Sequence, residues 1–136
     1  MSLIESAVAV AIAGLGLAVA VPSIHQSREI YLQKSAAADV ATALYGAKIK
    51  AIAQGADCRM RVLTPSLYVV ECQTESGSWT ETNRQTLPKG FTITANNKPE
   101  FHRRGNVSPT ATVTIWNAAG RALRIIVNAN GRVRTQ

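Results

Sequence analysis

Several residue types on which catalytic and metal sites depend are scarce in this chain. It has two histidines, His25 and His102, which are interpreted as isolated, and it has no glycine-rich phosphate loop. It also has no Cys/His cluster of metal-ligand spacing, no carboxylate pair placed for general acid/base chemistry and no nucleophile elbow. The sequence therefore predicts that the protein is not an enzyme and holds neither a metal nor a cofactor.

Aromatic residues are also few, at 5% of the 136 residues, so the core has to be built from Ala, Val, Ile and Leu. A chain of this length suits a single domain.

Acidic residues are almost missing from the last third of the chain. Residues 84–136 contain nine Lys or Arg and one acid, Glu100, for a net charge of +8, whereas residues 1–83 contain six Lys or Arg and seven acids, for a net charge of −1. Such a basic segment indicates either a polyanionic partner or a solvated basic face that aids solubility. Composition leaves both interpretations open.

The chain has only two cysteines, which favour a disulfide and an oxidising compartment, with two buried free thiols as the alternative. They close the stretch CRMRVLTPSLYVVEC, in which two alternating runs flank a proline turn, as in a β-hairpin. Folding this stretch about Pro65 places Cys58 opposite Cys72 and Met60 opposite Val70. That register predicts a cross-strand disulfide.

The N-terminal segment lacks cations, since the first Lys or Arg is Arg28. From Ala7 to Val21 every residue is apolar or glycine, which is shorter than the roughly 20 residues that span a bilayer. Leu3 and Ile4 extend the run only if Glu5 is tolerated. Because no basic region precedes the run and no clear cleavage site follows it, we interpret it as the start of an already processed chain and not as a signal peptide.

After Pro22 the pattern becomes that of an amphipathic helix, predicted to end near Gln54 with Gly55 as its C-cap. The predicted apolar stripe consists of Ile30, Ala37, Val40, Ala41, Leu44, Tyr45 and Ile52. A single helix from Ser2 to Gln54 would be about 80 Å long. Because that is too long for one globule of 14.5 kDa, we expect half of it to be buried elsewhere.

The rest of the chain reads as strands. After the hairpin, SWTETN is interpreted as a polar connection, GFTIT as a short strand, ATVTIWN and RALRIIVN as two strands joined by AAG, and GRVR as a last short strand. The sequence thus predicts an α+β fold, with a long N-terminal helix packed on an antiparallel β domain. Its predicted segments are an apolar helix over 1–22, an amphipathic helix over 23–55 and the β domain over 56–136.

Glu5 is a lone carboxylate in apolar surroundings, which is costly unless it is paired. Three interpretations are open. A neighbouring subunit could offer its N-terminal amine, so that Glu5 fixes the register of assembly, as a polar residue does in a coiled-coil seam. Glu5 could instead lie in water at a bilayer interface, or it could be an acid favoured by the dipole at the helix N-terminus.

The combination of Glu5, the apolar run, Gly14 and Pro22 resembles the mature N-terminus of type IV pilins and type II secretion pseudopilins. Met1 departs from the phenylalanine that the family usually has at that position. The resemblance implies that a prepilin peptidase removes a leader, that the amine of Met1 is methylated, and that Glu5 meets a neighbour's N-terminus in the filament. It also implies that the helix anchors the subunit in the inner membrane before assembly.

The C-terminal part resembles the GspH/FimT class of minor pilins and pseudopilins. In that class an F-x-x-x-G turn precedes two strands and a glycine-basic tail ends the chain. Phe101 and Gly105 match the turn, and Gly131, Arg132 and Arg134 match the tail. The resemblance implies the pilin fold.

Some members of this class bind DNA through a G-R-x-R tail and neighbouring basic residues, which GRVR matches at Arg132 and Arg134. In a strand these two residues share one face about 7 Å apart, a step comparable with that between successive phosphates of one strand. Trp116 is expected in the core, so binding would be to phosphates with little sequence preference. The alternative is a basic sheet edge that resists aggregation. Residues that could widen the patch are Arg121, Arg124, Arg103, Arg104 and Lys98.

Together these features predict a structural subunit of a type IV pilus-like extracellular filament. The alternatives are a minor pilin that binds DNA during uptake and a minor type II secretion pseudopilin. The expected partners are other copies of the chain or other pilins, the inner membrane before assembly, and DNA. The expected location is the inner membrane, followed by a periplasmic or extracellular filament.

Overall fold

The computed structural model describes residues 2–136 and all of their side chains except those of residues 19–22. In this part of the chain one helix is followed by eight strands: α1 (Leu3–Gln54), β1 (Cys58–Thr64), β2 (Leu67–Gln73), β3 (Trp79–Thr86), β4 (Thr92–Ala95), β5 (Glu100–Phe101), β6 (Ala111–Trp116), β7 (Ala122–Val127) and β8 (Val133–Thr135). Contacts divide the chain into two compact units, one ending at Leu32 and the other comprising Gln33–Gln136.

The first unit contains the N-terminal part of α1. Every described side chain from residue 2 to residue 18 is exposed, and the large apolar ones range from 52% exposed at Val8 to 90% at Leu3. By length and composition, α1 is long and apolar enough to cross a membrane. None of the described residues in its most apolar stretch is buried. Among the described residues, nothing covers the apolar side chains between residue 2 and residue 18.

In the second unit, α1 buries a stripe made mostly of alanines. Val40 and Leu44 are completely buried. Five alanines of the same stripe are almost completely buried: Ala36, Ala37, Ala43, Ala47 and Ala51. The predicted stripe was wrong at Tyr45 and Ile52, which are 44% and 51% exposed. Both lie about 120–140° around the helix from Val40, because each residue advances by about 100°. The sheets cover the alanine side of the helix, because small side chains let the helix backbone approach the sheets closely.

The predicted end of the helix is confirmed. The helix stops at Gln54, and Gly55 has a φ of 62°, the left-handed conformation that a glycine C-cap supplies. The amide of Ala56 donates to the carbonyl of Ala51 at 3.2 Å and closes the last turn.

The β domain consists of two four-stranded antiparallel sheets, with strand orders β3-β2-β1-β5 and β4-β6-β7-β8. The predicted hairpin register is confirmed, since β1 pairs with β2 with Cys58 opposite Cys72 and Met60 opposite Val70. The two cysteines form a disulfide, with their Cα atoms 4.0 Å apart. The predicted α+β fold is therefore confirmed.

Two elements of the first sheet were not predicted. The segment SWTETN, interpreted as a connection, belongs largely to β3, which pairs along β2 from Leu67 to Gln73. As an edge strand β3 is polar on both sides, so it has no period-two apolar pattern to detect. The strand β5 is too short to show any sequence pattern. It is recognised by its pairing with β1, in which Phe101 lies opposite Cys58.

The second sheet confirms the four strands predicted after the hairpin, which are β4, β6, β7 and β8. Its inward side holds Ile93, Val113, Ile115, Ile125 and Val127, each at most 1% exposed. Helix α1 is fastened to it by polar contacts as well as by burial. The buried amide of Gln33 donates from Nε2 to the carbonyls of Ile115 at 3.0 Å and Arg121 at 2.9 Å.

Candidate functional site

The N-terminus of α1 is closed by a reciprocal pair of hydrogen bonds. The amide of Glu5 donates to the Ser2 hydroxyl at 3.3 Å, and the amide of Ser2 donates to Oε2 of Glu5 at 3.4 Å. This is a capping box, in which the side chains satisfy two amides that the helix leaves free. The structure therefore gives Glu5 a local contact that agrees with the helix-terminus interpretation.

The capping contacts leave most of the Glu5 carboxylate in an open, apolar environment. Within residues 2–136 it forms no ion pair, and its neighbours Leu3, Ile4 and Val8 are exposed. Gly14 has nothing within 4 Å of the position a Cβ would take, so packing inside the chain does not require glycine there. The predictions for Met1 lie outside the described residues, as does any contact of the Pro22 side chain.

The outward side of the second sheet carries three of the predicted arginines. Along β6 and β7 the inward residues are buried, apart from the half-buried Leu123, and the outward ones are not. Val133 is buried between Arg132 and Arg134. Arg124 therefore shares the outward side with those two arginines. We call this surface the arginine face, defined by Arg124, Arg132, Arg134 and Trp116.

Strand register arranges these four residues in a continuous line. Trp116 lies opposite Ala122 and Thr114 lies opposite Arg124, so Trp116 and Arg124 are diagonal neighbours, about 7–8 Å apart at Cα. Arg134 lies opposite Ile126, and it is therefore the diagonal neighbour of Arg124 on the other side.

Arg132 continues this line beyond Arg134. Both arginines border a shallow hollow of about 140 Å³ with Ile126 and Asn128. Arg132 and Arg134 thus share one side, as the alternation predicted.

The outward side of the second sheet carries no acidic side chain among its described residues. Apart from the three arginines, the outward residues of this sheet are threonines, apolar residues and one glutamine: Thr92, Thr94, Thr112, Thr114, Trp116, Ala122, Ile126 and Gln136. No ion pair involves Arg124, Arg132 or Arg134 anywhere in residues 2–136. The face therefore presents three guanidinium groups that form no ion pair with an acidic side chain.

Arginines of the other sheet are arranged differently. Glu71, which is only 6% exposed, binds Arg59 at 3.0 Å and Arg61 at 2.6 Å. The guanidinium of Arg59 also lies 4.0 Å from the centre of the Trp79 ring, a cation–π contact. These two cations are thus engaged within the chain.

The remaining predicted basic residues lie in other places. Arg121 belongs to the turn between β6 and β7, where its amide donates to Oδ1 of Asn117 at 2.7 Å. Arg103 borders an open hollow together with Asp57 and Cys72, and Lys98 borders a different one beside β5. Arg104 is exposed on the turn after β5. The structure therefore assembles three of the six predicted arginines on one sheet face.

Two glycines of the C-terminal motifs touch each other and set the position of the tail. A Cβ on Gly131 would stand 2.1 Å from the carbonyl oxygen of Gly105, so only glycine fits. Both residues have positive φ, 79° at Gly131 and 86° at Gly105, and Lys48 of α1 packs against both. This contact places Arg132 immediately after a fixed turn.

The expectation that Trp116 is in the core was wrong. Its side chain is 37% exposed, and its indole Nε1 donates to Oγ1 of Thr94 at 3.1 Å. The alternation along β6 was the signal that could have shown this, because Val113 and Ile115 are both inward and the next residue must point outward.

His102 was predicted to be isolated, and this was also wrong. Its Nδ1 lies 3.3 Å from Oδ1 of Asp57, and the ligand atoms of Asp57, Glu100 and His102 lie within 4.8 Å of one another. Within residues 2–136 this is the group whose atoms could meet at a metal ion. Sequence reasoning missed it because only the pairing of β1 with β5 brings these residues together. Partly exposed acidic groups arranged in this way are also common in proteins without a metal ion.

Taken together, a long N-terminal helix with an exposed apolar first part and two four-stranded antiparallel sheets define a pilin-like α+β fold. No protein-family model and no curated protein matches the chain.

Several solved structures do match it. The minor pseudopilin EpsH from the type 2 secretion system of Vibrio cholerae superposes with a TM-score of 0.67 at 19% identity, over 76% of this chain and 95% of that one. The type IV minor pilin FimU of Pseudomonas aeruginosa gives 0.67 at 17% identity, over 79% and 90%. GspH of E. coli gives 0.65 at 13% identity, over 78% and 88%. The chain thus has the fold of the GspH-like class of pilins and pseudopilins.

Proposed function

We propose that this protein is a subunit of a pilus-like or pseudopilus-like filament, held in the inner membrane by its apolar helix before assembly. The observation that carries the proposal is the exposed apolar part of α1, in which every described side chain from residue 2 to residue 18 faces solvent. An apolar surface of this size needs a membrane or a partner to cover it. Membrane anchoring followed by packing against neighbouring helices would supply both in turn.

Glu5 supports an assembly role for this helix. A capping box needs only a hydrogen-bond acceptor at this position, which Glu or Gln can supply. The negative charge is therefore surplus to capping, and it is costly once the apolar segment leaves water. A neighbour's N-terminal amine would neutralise it and would fix the register between subunits.

The pairing predicts that charge, and not capping, is what assembly requires. In Glu5→Gln the cap is kept and the charge is lost, so we expect normal membrane levels of the protein but no filaments. In the matched variant Ser2→Ala the charge is kept and the cap is weakened, so we expect filaments. The measurement is the amount of sheared filament, compared with the amount of the chain in the membrane fraction.

Filaments at the parental level from Glu5→Gln would reject the pairing. Loss of filaments in Ser2→Ala but not in Glu5→Gln would instead assign Glu5 to the helix terminus alone.

The fold is compatible with a pilus subunit and with a secretion pseudopilin. EpsH and FimU superpose on the chain equally well, each with a TM-score of 0.67. Deleting the gene distinguishes them. If the protein is a pilus subunit, the deletion strain should lose its surface filaments. If it is a secretion pseudopilin, the deletion strain should retain secreted proteins in the periplasm.

A second candidate function is the binding of nucleic acid. The specific observation that favours it is the arginine face, which has three cations and no acidic side chain. Polyanion binding releases counterions from the phosphates, and a cluster that lacks an internal counter-charge is free to do this. Arg59 and Arg61, which share Glu71, are less available.

This candidate predicts a local and not a general charge effect. Replacing Arg132 and Arg134 together with Ala should weaken binding of random-sequence DNA and lower the salt slope of the binding constant by about 2. The control is Arg103→Ala with Arg104→Ala, which removes the same charge from the turn after β5. Titration over a salt series, with the full chain in nonionic detergent, measures both effects. Equal losses in the two variants, or no binding by the parent, would contradict the site.

A further inference from the structure

The arginine face ends in an exposed aromatic ring. The indole N–H of Trp116 is already satisfied by Thr94, so the part of the side chain that remains in contact with water is chiefly apolar ring surface. The ring stands on the same outward side as Arg124, one strand away and on the diagonal. An exposed ring beside unpaired cations is the combination that proteins use to hold bases and phosphates at once.

The spacing along the face fits a chain of repeating anions. Each step in the line from Trp116 through Arg124 and Arg134 to Arg132 is about 7–8 Å, whether it runs diagonally between strands or two residues along one strand. Threonine hydroxyls border the line at Thr94 and Thr114 and can donate to phosphate oxygens.

The line of residues on the arginine face suits a single-stranded nucleic acid better than a duplex. In a duplex the bases are stacked on one another, so an exposed ring on a sheet has no base face to meet. In a single strand the base faces are free, and aromatic stacking adds to the phosphate contacts. On a duplex, Trp116 would contribute nothing and only the arginines would bind.

We propose that the arginine face binds a single-stranded nucleic acid, with phosphates on Arg124, Arg134 and Arg132 and one base stacked on Trp116. The proposal rests on the nucleic-acid binding proposed above as the second function, and it names the form of nucleic acid that this site prefers.

The fluorescence of Trp116 gives a direct test. The chain has two tryptophans, and Trp79 lies on the other sheet beneath Arg59, so Trp79→Phe leaves Trp116 as the single fluorophore. The full chain in nonionic-detergent micelles is titrated with a short thymidylate oligomer, the matching uridylate oligomer and a duplex of the same length. We expect both single strands to quench Trp116, with the stronger of the two showing whether DNA or RNA is preferred. The duplex should bind without quenching.

Variants at Trp116 give the second measurement, the affinity of labelled oligomers by anisotropy. Trp116→Leu should lower the affinity for the single strand by about tenfold, because stacking on one base accounts for roughly that factor. The same change should alter duplex affinity by less than about twofold. Trp116→Phe, which keeps a ring, should retain most of the single-strand affinity.

The outcomes separate the two levels of the proposal. Binding of both forms with no quenching, and with no effect of Trp116→Leu, would overturn the stacking while leaving nucleic-acid binding in place. Failure of every oligomer to bind would reject the second function and this inference with it. If Trp116→Leu does not fold by circular dichroism, the quenching experiment still decides, since it does not depend on that variant.

Discussion

Gly131 illustrates how a single residue controls the C-terminal tail. It is the first residue of the motif GRVR, and its Cα faces the carbonyl of Gly105, the last residue of the F-x-x-x-G turn. Two motifs that the sequence presents as separate are thus two sides of one backbone contact. The contact explains why both positions hold glycine, since a side chain would need the space that the other backbone fills.

Replacing Gly131 with Ala should destabilise the domain by about 2 kcal/mol or more, because the substitution adds a backbone clash to the strain of a positive φ. Gly120→Ala is the matched control. Its φ of 82° is similar, but nothing lies within 4 Å of its Cβ position, so only about 1 kcal/mol is expected. Denaturant unfolding of the two variants measures the difference. Equal destabilisation would show that the contact with Gly105 contributes nothing.

Glu5 and Trp116 show two further limits at the residue scale. The sequence indicated that Glu5 needs a partner, and the spacing of Ser2 and Glu5 before the apolar run was the signal for the capping contact that the structure shows. Trp116 was assigned to the core on hydrophobicity, although strand alternation places it outside. Strand alternation therefore predicts the exposure of Trp116 better than its hydrophobicity does.

Among the elements, the β1–β2 hairpin was predicted in register because its two alternating runs are symmetric about Pro65 and end in cysteines. The polar strand β3 was missed because the pattern that identifies a strand comes from burial, and an edge strand with two exposed sides has little of it. Helix α1 was predicted in its length and its end, whereas its buried stripe was displaced around the axis. Alanine positions read as neutral in a sequence, yet they are the ones the sheets cover.

The pairing of β2 with β3 buries Tyr68, whose hydroxyl donates to Oε1 of Gln85. Burial, with a smaller contribution from the charge of Asp39, raises the pKa of Tyr68 from 10.0 to about 12. A raised pKa means that the protonated form is favoured by folding. Its contribution to stability is therefore complete below pH 10 and is lost as the pH rises towards about 12.

The free energy of unfolding should therefore fall between pH 10 and about 12 by roughly 2 kcal/mol that is attributable to Tyr68. Tyr68→Phe should remove this part of the alkaline slope, because it leaves no proton to lose. Urea unfolding of both proteins across that pH range measures it. Parallel slopes in the two proteins would show that Tyr68 does not contribute.

At the scale of the whole molecule, two surfaces have no counterpart among the described residues. One is the exposed apolar part of α1, and the other is the arginine face. Both correspond to features that composition already showed, the cation-free N-terminus and the acid-poor last third. A chain that leaves apolar surface uncovered and cations unpaired, in its described residues, needs partners for both, which is the physical basis of the two functions proposed.

The sequence by itself determined the long helix and its end, the hairpin register, the disulfide and the α+β plan, because each rests on local periodicity or on residues close along the chain. Only the tertiary structure decided which side of α1 is buried, which arginines share a face, and that Gly105 meets Gly131. It also brought His102 to Asp57 and placed Trp116 beside Arg124. These relations join residues that are distant in sequence, and they are fixed by strand order and register, which depend on the packing of the whole domain.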